Sequence, residues 1–297
     1  MLQPDAKRSP GDKISRICPM CGGAEMHVHF AYDKQPPLEF RFDAIKDIVY
    51  RRELHRCDRC GHLLEWINAD LSKLYHADYV DKVWGDRERI KNTFDRINAL
   101  PAERSDNAGR AANIQAHLSR HWPEDRLKAA PRLLDVGTGL GVFPHRMKQV
   151  GWDCVGIDMD PTLIAHVRDN VGIPAEVADV TTVEHLGQFD LISFNRVLEH
   201  VADPVRILAS VERLLKPDGL VYIELPDAEA AEVEGQDREE YLLGHMHVFS
   251  FASYALLIER AGFDLMSCER LQEPSMKYTL RGFARPLPAG RKRPHHS

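Results

Sequence analysis

No apolar run in this chain approaches the ~20 residues a helix needs to cross a bilayer, and the opening MLQPDAKRSPGDK lacks the apolar core of a signal peptide. The expectation is a cytoplasmic protein with no membrane partner. Positive charge is also scarce: 39 Lys and Arg against 45 Asp and Glu leave a net charge of −6. No basic stripe interleaved with aromatics runs along the chain, which argues against a nucleic acid held through its phosphates. The short basic ending, RKRPHHS, reads as a solvated tail. Internal repeats and low-complexity blocks are missing, which excludes a repeat array. Cysteine is limited to six residues, four of them in two C-x-x-C pairs; in a reducing compartment such pairs point to metal rather than disulfides. What remains is 297 residues, 43% hydrophobic, enough for one α/β domain plus a smaller module.

Along the chain, residues 1–15 are polar with Pro4, Pro10 and Gly11, and disorder is expected there. A small module spans 16–68, bracketed by CPMCGG and CDRCGH. A largely helical bridge or lid follows over 69–125, containing LSKLYHADYVDKVWG and NAGRAANIQAHLSRHW. Over 126–283, apolar strands LLDV, CVGID, AEVAD, FDLISF and GLVYIEL alternate with helical patterns. Such alternation predicts a doubly wound, Rossmann-like parallel sheet covered on both faces. Two closing strands near FDLMSCE and SMKYTL, without a long helix between them, predict a C-terminal antiparallel hairpin, and 284–297 is the basic tail.

The stretch RLLDVGTGLGV carries the strongest signal. An apolar strand ends in Asp135, then Gly137, Gly139 and Gly141 alternate before a helix, so a ligand can approach bare backbone. The dinucleotide fingerprint wants its third glycine where Val142 stands, and an acid before the glycines suits a cationic ligand better than a pyrophosphate. Asp158 ends the next strand about twenty residues on, where a carboxylate accepts hydrogen bonds from both ribose hydroxyls. These motifs, with EVADV, SFNRVLEHVADP and LLKPDGLVYIELP in the same order, resemble the class I S-adenosylmethionine (SAM)-dependent methyltransferases over about Arg132–Pro226. The resemblance implies that Asp135 and the three glycines hold the methionine portion of SAM. It likewise implies that Asp179 pairs with the adenine amino group while Val180 donates from its backbone. Met159 and Asn195 complete the expected cofactor contacts.

Cys18, Cys21, Cys57 and Cys60 form two knuckles, each followed by glycine. Two residues between thiolates let one turn present both sulfurs to a tetrahedral ion, so a four-cysteine zinc site with a structural role is expected. His55 and His62 are substitute ligands or, better, helpers or surface residues. A zinc-ribbon-like start, a tyrosine-containing segment and a SAM domain together resemble bacterial methyltransferases of sugar or secondary-metabolite pathways. The chain is distantly similar to the nucleotide-sugar C-methyltransferases. Their H-E-H motif is His245-Met246-His247 here, so their acid-base apparatus does not carry over whole.

The expected activity is methyl transfer to a small-molecule acceptor. For a hydroxyl acceptor, His245, His247 and His200 are the candidate bases, the first two ahead of His200, which stands beside Glu199. Tyr75 and Tyr79, four apart on one helical face, would cover the cofactor or pack in the core. Two alternatives from other classes are an RNA methyltransferase with an N-terminal zinc finger and a non-catalytic zinc adaptor with a degenerate SAM fold.

Overall fold

The computed structural model describes residues 8–39, 48–69 and 84–288. Tyr75 and Tyr79, residues 70–83 of the expected bridge, and 289–297 of the expected tail lie outside the described residues.

The first four strands, β1 (Lys13–Ser15), β2 (Glu25–Tyr32), β3 (Arg52–Cys57) and β4 (Leu63–Ile67), form an antiparallel meander. β1 corrects the expectation of disorder through residue 15. Ile14, 4% exposed, pairs with Met26 and enters the core beside the cysteines. A three-residue strand with one apolar side chain has no periodicity to read; its order comes from β2.

Helices α1 (Arg87–Asn98) and α2 (Asp106–His121) lead into the larger unit. The Ser105 hydroxyl caps α2 by accepting from the Ala108 amide, and Arg110, Ala111, Ile114 and Leu118 form its buried stripe at helical spacing. Then follow β5 (Arg132–Val136), α3 (Val142–Gln149), β6 (Asp153–Asp158), α4 (Pro161–His166), β7 (Ala175–Val177), β8 (Phe189–Asn195), α5 (Pro204–Ser210), β9 (Leu215–Pro226), β10 (His247–Val248), α6 (Phe251–Arg260), β11 (Phe263–Gln272) and β12 (Tyr278–Pro286).

Seven of these strands make one sheet in the order β11-β12-β9-β8-β5-β6-β7. The five strands from β9 to β7 are parallel, and β12 and β11 close the edge as an antiparallel hairpin. Leu134, Ile192 and Val221 face one core, and their neighbours Leu133, Leu191 and Leu220 face the other. Burial on both faces is why these strands read as continuous apolar runs. Chain order reverses at β5, with β6 and β7 on one side and β8 and β9 on the other, and in open sheets of this kind ligands bind beyond the carboxyl ends of the strands at such a reversal.

The N-terminal module is not a free-standing ribbon. β10 pairs antiparallel with β4, His247 opposite Leu64 and Val248 opposite Leu63, and completes a five-stranded sheet. Phe249 then hydrogen-bonds to Pro226 and Ala228 at the end of β9. One short strand thus ties both sheets together. No helix among the described residues is long and apolar enough to cross a membrane.

Candidate active site

The loop after β5 is pinned from below. The amides of Gly137 and Thr138 donate to the Ile157 carbonyl of β6 at 2.8 and 3.0 Å. Gly137 has φ +67°, and an added Cβ would lie 2.6 Å from Val197, so no other residue fits without displacement. Gly139 has φ +52° and open space where a Cβ would be. Its amide donates to Asp158 Oδ2 at 3.0 Å, while the Asp160 amide donates to Asp158 Oδ1 at 3.0 Å. The tips of β5 and β6 are therefore in direct contact. Burial raises the Asp158 carboxyl above its ordinary value, opposed by those amides.

Asp135 is 2% exposed, and its Oδ1 accepts from Ser193 Oγ at 2.7 Å and Asn195 Nδ2 at 2.9 Å. Burial pushes its carboxyl up to about 6 against those hydrogen bonds. Asp135 thus braces Asn195, whose buried Oδ1 has no partner among the described residues. Asp179 is exposed at the loop after β7, with Oδ1 accepting the Thr181 amide at 2.8 Å, and the Val180 side chain is buried beside it. Met159 is 68% exposed next to Asp158.

Beyond Asn195 the chain turns sharply. Arg196 adopts φ +59°, an unfavourable conformation for a side-chain-bearing residue. It is held there by its amide on the Glu224 carbonyl and its guanidinium on Thr279. The following turn carries Glu199 and His200. His200 Nδ1 donates to the Gly244 carbonyl at 2.9 Å, and the rings of His200 and His245 lie 4.9 Å apart. His247 is set apart from this pair. Its Nδ1 faces His62 Nε2 at 3.0 Å, and the backbone carbonyls of Ala202 and Val201 also act on its ring. Burial lowers His247 to about 4. The structure therefore groups His245 with His200, the histidine ranked last on sequence.

Sequence reasoning missed two buried ion clusters. Arg110 of α2 pairs with Glu224 at the end of β9, with the Tyr222 hydroxyl on the same carboxylate. Burial would raise Glu224, but the Arg110 charge holds it below its ordinary value. Arg52, fully buried on β3, lies between Glu39 (2.7 Å) and Glu65 (3.1 Å) and donates to the Tyr241 carbonyl at 2.6 Å. Glu39 and Glu65 in turn accept the amides of Leu243 and Gly244, so this cluster fixes the loop that presents His245. Arg52 stands among other charged residues in RRELHR, and no local signal marks it as buried.

The four cysteines meet as expected from their spacing. All are buried, with Sγ atoms within 4.8 Å of one another, Cys18 to Cys60 at 3.6 Å and Cys21 to Cys57 at 3.5 Å. A tetrahedron of ~2.3 Å metal–sulfur bonds has edges of about 3.8 Å, so the donor set fits a zinc ion. The Gly23 amide points at Cys21 Sγ (3.4 Å). The Cys60 thiol, followed by the amides of Cys21 and Met20, brings Cys18 down to about 5 against the effect of burial. His55 instead binds Glu53 at 2.8 Å and His62 lies between Ser253 and His247, so neither joins the sulfur cluster.

A family model described as "Methyltransferase domain" matches residues 91–267. The ubiquinone biosynthesis O-methyltransferase of Pseudomonas aeruginosa (strain UCBPP-PA14) is 32% identical over 164 residues, 52% of this chain and 63% of that protein. The protein of the same description from Methylococcus capsulatus is 30% identical over 47% of this chain and 54% of its own length. The chain thus spans less than two thirds of these relatives. In fold, it resembles the Synechocystis magnesium protoporphyrin IX methyltransferase with bound SAH (TM-score 0.55, 14% identity, 72% of this chain and 100% of that one). It also resembles the Burkholderia thailandensis 1,6-didemethyltoxoflavin-N1-methyltransferase (TM-score 0.51, 18% identity, 84% and 99%). The four cysteines precede the matched span.

Proposed function

Because the chain belongs to the methyltransferase domain family, we propose that it transfers a methyl group from SAM to a small-molecule acceptor. The observation that carries this reading is the contact of the Gly139 amide with the Asp158 carboxylate where β5 and β6 end. It sets bare backbone and an acid side by side at the reversal of strand order, as an adenosyl ligand with an amino-acid tail requires. The open space at Gly139 and the unpartnered Asn195 oxygen fit such a ligand. When bound, SAM supplies a methyl group already activated on a sulfonium, so the protein's contribution is alignment.

In this reading, Asp158 accepts the two ribose hydroxyls, with Met159 flanking the adenosine. Asp179 and the Val180 amide meet the adenine edge, and Gly137, Gly139 and Gly141 admit the methionine portion. Asn195, braced by Asp135, faces the same end. His200 and His245 stand on the acceptor side, and His247 serves to join the two sheets. Cys18, Cys21, Cys57 and Cys60 hold a structural zinc, supported by the sulfur spacing. The relatives named for small-molecule acceptors favour that class over RNA, as does the net charge of −6. We place the protein in the cytoplasm, where its six cysteines, none of them in a disulfide, stay reduced.

Calorimetry with SAM on the full chain tests the pocket. Each hydrogen bond to a charged group is worth about 1.5–3 kcal/mol, so Asp158→Ala, losing two, weakens SAM by roughly two to four orders of magnitude. Unchanged affinity in a folded variant would refute the assignment.

A further inference from the structure

Among the described residues, Ala130, Arg196, Asp218 and Met276 hold a positive φ without being glycine. Ala130 and Asp218 stand near where β5 and β9 begin, and Met276 in the turn between β11 and β12. Only Arg196 stands at a carboxyl end of the parallel strands, where ligands bind. Strain persists where the surroundings hold it, and an outlier in such a place asks what its side chain does. The left-handed turn sends Arg196 across the sheet. Asn195 of β8 is in register with Glu224 of β9, and Pro226 of β9 with Thr279 of β12. The Arg196 amide donates to the Glu224 carbonyl at 3.1 Å, and its Nη2 to Thr279 Oγ1 at 2.6 Å and to the Tyr278 carbonyl at 3.4 Å. Those side-chain contacts use one nitrogen of the guanidinium. Nε and Nη1 have no partner among the described residues, and neither is sealed from solvent.

No carboxylate among the described residues pairs with this guanidinium, although its charge acts on Glu199, Glu224 and Glu239. Each of the three is otherwise engaged. Glu224 is bound by Arg110 and Tyr222, and Glu239 faces Lys277 at 3.9 Å. Burial pushes the Glu199 carboxyl above its ordinary value, favouring its neutral form. By contrast, the buried Arg52 and Arg110 meet carboxylates directly. An arginine held in place by neutral oxygens, with donors to spare one residue beyond Asn195, is suited to an anion from outside the chain.

We propose that Arg196 is a specificity-determining residue that binds an oxyanion, a carboxylate or a phosphate ester, carried by the methyl acceptor. In the strand order β12-β9-β8-β5 the guanidinium, at β12, stands two strand spacings from the tip of β8, roughly 10 Å, and on the side of it away from the glycine loop. The oxyanion is therefore a handle, several bonds removed from the atom that receives the methyl group, and the anion itself is not methylated. The charge of Arg196 also acts on His245, so the handle and the acceptor-side histidines belong to one site. This inference rests on the methyl-transfer reading and deepens it by naming the charge of the acceptor.

The test is calorimetry on the full-length protein loaded with SAH and titrated with benzoate, with phenyl phosphate and with benzamide, a neutral control of similar shape. One of the two anions should bind once per chain and at least about tenfold more tightly than benzamide, as a charged hydrogen bond requires. The tighter of the two tells a carboxylate handle from a phosphate one. Arg196→Gly is the decisive variant, because glycine adopts φ +59° without strain and the backbone of the turn is not put at risk. It should weaken the anion by roughly 10- to 100-fold, with circular dichroism and the affinities for benzamide and SAH retained, and Arg196→Lys should keep part of the preference. A side chain that merely straps β8 to β12 predicts the reverse, a lower melting temperature in Arg196→Gly with anion binding unaffected. That result overturns the proposal, as does equal affinity for benzamide and both anions, or no saturable binding of either anion. Loss of SAH binding in the parent protein would instead strike the methyl-transfer reading, and the same titrations of the unloaded chain would still decide the role of Arg196.

Discussion

Replacing Arg52 by Met should destabilise the protein by about 3–5 kcal/mol at pH 8, the usual cost of breaking a buried ion pair from one side. The guanidinium is fully buried and faces two carboxylates, Glu39 and Glu65, which are themselves almost inaccessible. A Met side chain fills the volume but leaves both acids without their cation. Burial already holds Glu39 above its ordinary value and pushes Glu65 up to about 7, with Arg52 pulling both down. Without Arg52 both rise further. A carboxyl whose folded value exceeds its unfolded one favours the native state at low pH, and that advantage is lost as pH rises through the folded value. The loss should therefore be largest at pH 8, where the orphaned acids are forced to ionise, and smaller at pH 5, where they carry protons. Urea unfolding at the two pH values measures this, and hydrogen exchange of residues 241–246 reports whether the loop carrying His245 loosens. Adding Glu39→Gln and Glu65→Gln to Arg52→Met should recover most of the loss at pH 8. A loss under about 1 kcal/mol at pH 8, the same loss at both pH values, or no recovery in the triple variant would show that the cluster is not held by charge compensation.

The sulfur tetrahedron predicts one tightly held zinc from Cys18, Cys21, Cys57 and Cys60. Elemental analysis should find it, Cys57→Ser should lose it, and a parent protein with no zinc and four freely titratable thiols would remove the site. Asp135, raised from 3.8 to about 6 in the folded protein, contributes stability that is complete below about pH 4 and lost as pH rises through 6. Asp135→Asn should abolish that contribution, worth up to about 3 kcal/mol. Unfolding of parent and variant at pH 4.5 and 7 checks it, an identical pH response in both being the contrary result.

The parallel sheet and its closing hairpin were legible because their signals are local. LLDV, CVGID and FDLISF are apolar runs of strand length, each followed by a turn and a helix, and a strand buried on both faces admits little else. The acids were legible because Asp135 and Asp158 stand where strands end. The cysteines could be grouped because two residues between thiolates make a turn on their own. The pairing of the histidines was not legible: H-M-H suggested His245 with His247, but β10 begins only at His247, whose ring meets His62 of the cysteine module, and only packing brings His200 from the turn after β8 against His245.

The sequence alone determined the strands of the parallel sheet, their order and the residues at their tips, since these depend on spacing over a few residues. The tertiary structure decided that β10 completes the cysteine module's sheet, that Arg52 and its two acids are buried, and that Glu199 is buried with no hydrogen-bond partner among the described residues. Each of these depends on contacts between distant segments, as between Arg52 and Tyr241 or Leu64 and His247. A charged residue shows the same letter in water as in a core, so its burial is known only once the chain around it is placed.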